Sequence, residues 1–150
     1  MSESVLGGAE DGQGAIRVEP CRLPDDLDVV WLPMRRMLLV DRGLTFARRR
    51  SIVARELAGI DLGHEAITDE ATARAQENTA ALVAARELIS LDRLLDALQW
   101  SSQPTEIAEA LCVDEAAVLD RFSGMDDGER QRVTEVFACR EWDLPGECGR

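Results

Sequence analysis

Few residues in this sequence could carry acid–base or metal chemistry, so each can be weighed singly. His64 is the one histidine and tyrosine is absent, while Glu56 and Glu77 stand on either side of that imidazole. A lone imidazole with flanking acids reads either as a solvated loop residue or, with Glu56 and Glu77, as part of an unusual hydrolytic site. Cys21, Cys112, Cys139 and Cys148 are scattered without a C-x-x-C pair, which argues against a zinc knuckle or a redox motif. Without a secretory signal they read as reduced thiols of a cytoplasmic protein. Arg48, Arg49 and Arg50 form the densest positive patch. That patch is either a solvated helix face or a docking site for an acidic segment, since guanidinium pairs well with carboxylate.

The order of residues around Glu56 is more specific. An H-E-x-x-H helix places two imidazoles at i and i+4 so that both face one zinc ion, and its glutamate acts as general base on the bound water. Here that stretch reads Arg55-Glu56-Leu57-Ala58-Gly59. Val40-Asp41, Leu44, Arg49-Arg50 and Leu57 keep the frame around it. Downstream, Ala84-Ala85-Arg86-Glu87-Leu88-Ile89, Leu91, Leu94, Ala97-Leu98 and Trp100 continue the pattern. In these features the chain resembles the ImmA/IrrE-like zinc metallopeptidases, over residues 28 to 138.

The resemblance implies a zincin-like helical core in which Glu56 holds the place of the general base and Glu77 that of the third, glutamate ligand. The two histidine places fall on Arg55 and Gly59. Arginine is permanently cationic with no lone pair and glycine has no side chain, so neither can ligate a divalent metal. Zinc is expected of the family, yet the ligands for it are missing, and no cofactor is expected. Two readings of Arg55 follow: it fills the vacated metal position and pairs with Glu77 or Glu56, or it points outward.

The elements that must position these residues can be read from periodicity. Val29 to Leu32 and Met37 to Val40 are apolar runs separated by Pro33 and Arg35-Arg36, which predicts a hairpin or two adjacent strands. Thr45 can cap a helix reaching about Ala58, with Gly59 helping to end it. Thr68 to Ile89 has apolar residues near helical spacing and predicts one long helix. Ser90 can cap the next, whose Leu91, Leu94, Leu95 and Leu98 form one stripe. Two shorter helices, Thr105 to Leu111 and Glu115 to Phe122, flank a tight turn at Cys112-Val113-Asp114. A last helix spans about Asp127 to Arg140. The fold class expected is α+β, predominantly helical: a small β-hairpin or sheet packed on the core, with C-terminal helices. The expected organisation is a disordered tail over 1–15, a metallopeptidase-like domain over 16–100, a helix-turn-helix-like unit over 101–140 and a flexible tail over 141–150.

Pro104 to Val118 resembles a helix-turn-helix, with Ala108 at the helix contact and Val118 packing from the second helix. That second helix begins Asp114-Glu115, contains Asp120, and has Arg121 as its one basic residue. Groove readers place Arg, Lys, Asn or Gln there, so phosphate repulsion should defeat docking. The unit reads as a helical cap on the core whose acidic outer face is free to meet a protein.

Composition agrees with these limits. The formal charge is −12, and all 17 basic residues are arginine, as codon usage in a GC-rich genome produces. Such a charge disfavours nucleic acid and suits basic protein surfaces. No apolar run reaches the length of a membrane span, and Met1 to Gln13 is acidic and glycine-rich, unlike a signal peptide. The expected function is that of a catalytically inactive pseudo-metallopeptidase that binds a protein partner, a transcriptional repressor or another phage or mobile-element regulator. A helix-turn-helix DNA-binding regulator acting through residues 104–123 and an active hydrolase built on Glu56, Glu77 and His64 are the other readings.

Overall fold

A computed structural model describes residues 14–64 and 69–142. Three strands, β1 (Arg17–Cys21), β2 (Val29–Leu32) and β3 (Met37–Asp41), precede six helices. These are α1 (Phe46–Asp61), α2 (Glu70–Leu88), α3 (Leu91–Leu98), α4 (Pro104–Leu111), α5 (Glu115–Ser123) and α6 (Asp127–Trp142). The chain is therefore mostly helical with one small sheet, in strand order β1-β3-β2.

The expected pairing of the two apolar runs is present: β2 lies antiparallel to β3, with Trp31 opposite Leu38. A 3-10 turn at Pro33–Arg35 joins them, and Arg36 closes it in the left-handed region at φ 49°. β3 is the central strand because Leu38 and Val40 alternate inward and are fully buried. Sequence patterning does not reveal β1, which pairs parallel to β3. Its residues include two charges and Pro20, a composition tolerated at an edge, where one side of the backbone needs no partner. Asp41 closes this layer by accepting the amides of Leu23 and Gly43, each at 2.9 Å, and those bonds hold its carboxyl below the usual range.

Thr45 and Ser90 cap α1 and α3 as anticipated, and Asp69 and Asp114 cap α2 and α5 besides. Thr45 accepts the Arg48 amide at 3.2 Å, Asp69 the Thr72 amide, Ser90 the Arg93 amide and Asp114 the Ala117 amide. Gly59 does not end α1, contrary to expectation. The helix runs on to Asp61, and Gly63, at φ 71°, supplies the left-handed residue just beyond its end. Gly59 faces α2, where a Cβ placed on it would make an ordinary contact, 3.8 Å, with the Ala80 Cβ. Ala54, Ala58, Ala80 and Ala84 continue this small-residue contact between the two helices.

A larger apolar cluster joins Ile89 at the end of α2 to Leu94 and Leu98 of α3, Ile107 of α4, Val118 of α5 and Val133 of α6. The α3 stripe is thus the centre of the core. Residues on both sides of position 100 share this cluster, so the boundary expected there coincides with no break in packing. The expected tails fall almost wholly outside the described residues, with only residues 14–15 and 141–142 inside them.

Candidate functional site

A cleft of about 640 Å³ opens between α1 and α2, with Trp31 of β2 and Asp120 of α5 on its walls. It collects most of the residues singled out from sequence: Arg55, Glu56, Gly59, His64 and Glu77. Gly59 and Ala80, on the small-residue seam between α1 and α2, line it.

The electrostatics of the cleft are acidic. Burial, and then the charge of Glu77, push the Glu56 carboxyl above its usual range, while Arg55 pulls the other way. Burial likewise raises Asp120, with Arg55 again opposing and Asp114 adding to the rise. Among the described residues, the carboxylates of Glu56, Glu77 and Asp120 make neither hydrogen bond nor ion pair.

Arg55 does not pair with Glu77 or Glu56, one of the two arrangements expected from sequence. Its guanidinium reaches Asp114 at the start of α5. The reason lies in helical spacing: Arg48, Ser51 and Arg55 occupy one face of α1 at i, i+3 and i+7, and that face meets the α4–α5 turn. Arg48 pairs with the same carboxylate oxygen at 3.0 Å and with Asp28 at 3.0 Å. The hydroxyl of Ser51, fully buried, accepts the Asp114 amide at 2.9 Å. Asp114 therefore holds two arginines and the first turn of α5 at once.

The Arg48-Arg49-Arg50 run proves neither a wholly solvated face nor an open docking patch. Arg48 is committed as above, and Arg50 donates to the last carbonyls of α4, Leu111 at 3.0 Å and Cys112 at 3.1 Å. A cation there complements the helix C-terminus. Arg49 alone of the three is exposed. His64 also departs from the solvated-loop reading. Half-buried, it lines the cleft, donates its amide to the Gly59 carbonyl at 3.0 Å and lies over the bare glycine, its Nδ1 3.7 Å from where a Cβ would stand.

No family model, curated protein or solved structure matches this chain. The site is therefore judged on its own chemistry. Arg55 and Gly59 offer no lone pair to a metal ion, since a guanidinium is a donor only and glycine has no side chain. Among the described residues no three carboxylate, imidazole or thiol groups converge where one ion could be held, so Glu56, Glu77 and His64 share the cleft without forming a ligand cluster. What the arrangement can do is present negative charge, a histidine and an indole to a bound group.

The helix-turn-helix-like pair of α4 and α5 turns its one basic residue inward. Arg121, the basic residue of α5, is 3% exposed and points into the core. Its Nε donates to the Ile89 carbonyl at 2.8 Å, and its two amino groups grip Glu129 at 2.8 and 3.3 Å. The N-cap of α5, Asp114, is tied to α1 through Arg55 and Ser51. Sequence reasoning passed over Asp114, Asp120, Ser51 and Trp31 as site residues. Asp114 carried a signal, a capping aspartate after the turn, but nothing local indicates that its second oxygen serves α1.

Proposed function

We propose that this chain is an ImmA/IrrE-like pseudo-metallopeptidase, which binds a protein partner in the α1–α2 cleft and does not cut it. The partner we infer is a transcriptional repressor or another regulator of a phage or mobile element. One observation carries this reading: Arg55 and Gly59, at the two places where an H-E-x-x-H helix needs imidazoles, both line the cleft, and Arg55 is anchored on Asp114. Without those ligands Glu56 has no metal-bound water to activate, so it remains as a desolvated carboxylate.

Two further features support binding. β2 is an edge strand whose Trp31 lines the cleft, so an extended segment could add along its open side. Glu56, Glu77 and Asp120 offer unneutralised charge to the basic side chains common on DNA-binding regulators. DNA itself is disfavoured, because α5 turns Arg121 inward and the cleft is acidic.

The test is to mix the purified chain with the repressor encoded beside its gene. The expected result is a stable complex with no cleavage products, whether zinc or a chelator is added. Glu56→Arg with Glu77→Arg should weaken that complex by about tenfold or more. Cleavage that a chelator abolishes, or failure to form any complex with the neighbouring regulators, overturns the reading.

A further inference from the structure

A second surface adjoins the cleft across the Arg55–Asp114 pair, and its case is independent of the cleft's function. The first turn of α1 and the α4–α5 turn enclose a groove of about 570 Å³. Ala108 and Val113, 5% and 2% exposed, form its floor. Phe46 forms its wall and is 72% exposed. A single exposed apolar side chain is ordinary, but an aromatic ring beside an apolar trough is surface that gains by being covered.

The charge of the rim selects what could cover it. Arg48 and Asp114 line the groove and neutralise each other. Glu109 and Glu115 remain, both exposed, and neither has an ion pair among the described residues. Glu115 only accepts the Thr105 hydroxyl at 3.2 Å. A second copy of a chain with formal charge −12 would bring like charge to this rim. We propose that the groove is a docking surface for a protein segment with an apolar anchor flanked by lysine or arginine. The anchor packs on Phe46 over Ala108 and Val113, and the flanking cations meet Glu109 and Glu115.

The probe is a labelled synthetic peptide of leucine and lysine in amphipathic order, titrated against the full chain by fluorescence anisotropy. The same peptide with serine for leucine, and with glutamate for lysine, should bind at least about tenfold more weakly. Phe46→Ser, and separately the pair Glu109→Arg with Glu115→Arg, should each cost about tenfold or more in affinity. These side chains are exposed, so the variants should fold, and circular dichroism checks that they do. Trp100→Ser, exposed and outside the groove lining, should leave the affinity within about twofold. Absence of binding overturns the proposal, as does binding that ignores Phe46. Self-association of the chain that Phe46→Ser abolishes would assign the groove to a second copy instead.

Discussion

Arg55 and Asp114 form an ion pair that joins the middle of α1 to the first turn of α5, across 59 residues of sequence. Asp114 is at the same time the N-cap of α5, where the helix dipole favours a negative charge. Arg55 thus fastens α1 to the start of the C-terminal helix pair.

Removing that carboxylate should be costly. Asp114→Ala loses a cap, about 1 kcal/mol, and leaves Arg55 without its carboxylate partner and Arg48 with Asp28 alone, in a partly covered site. A loss of about 2–4 kcal/mol in urea denaturation is expected, and Asp114→Asn, which can still cap, should lose less. Values within about 0.5 kcal/mol of the parent for both variants would show that the hub contributes nothing.

Acid should loosen the C-terminal half through Glu129. The bidentate Arg121 guanidinium, the Asp126 amide and Arg86 hold its carboxyl down at about 2, from 4.5. A depressed carboxyl contributes stability that is fully present above about 4.5 and is lost as pH falls toward 2. Glu129→Gln should therefore be less stable than the parent at neutral pH, by on the order of 2 kcal/mol, and the gap should close across that window. Thermal melts from pH 2 to pH 7 measure it; a gap that stays constant with pH contradicts the assignment.

Glu56 should behave in the opposite sense. Its folded carboxyl is raised by burial and by Glu77, so its ionised form costs stability above the folded value, and that cost vanishes as pH falls below the unfolded value. Glu56→Gln is expected to melt slightly higher than the parent at pH 7, by up to about 0.5 kcal/mol, and to match it in acid. A destabilised Glu56→Gln at pH 7 would mean that the carboxylate has a partner in the folded protein.

The resemblance to a zinc peptidase frame can be tested by rebuilding it. A Cβ at position 59 would meet His64 and Ala80 at ordinary contact distances, 3.7 and 3.8 Å, so a side chain can start there. Arg55→His with Gly59→His should bind one zinc per chain after dialysis, with Glu77 as the third ligand, while the parent holds none. The same change breaks the Asp114 pair and should lower stability. A double variant that takes up no metal counts against the frame.

Local chemistry in the sequence sufficed for the elements whose signals lie within a few residues of one another. Thr45 and Ser90 announce helix starts because a cap needs only its own next turn, and the Leu91/Leu94/Leu95/Leu98 stripe specifies a buried face by spacing alone. The apolar runs of β2 and β3 sufficed for their pairing. β1 was not legible, because an edge strand carrying Pro20 takes its place from the partner β3 and not from its own pattern. Gly59 misled because two glycines lie near the end of α1, and the one that takes the left-handed conformation beyond the helix is Gly63. The partners of Arg55, Arg50 and Arg121 were equally out of reach. A guanidinium on a long side chain can serve any acceptor brought near it, so its role depends on how the helices dock, a property of the packed core and not of the neighbours in sequence.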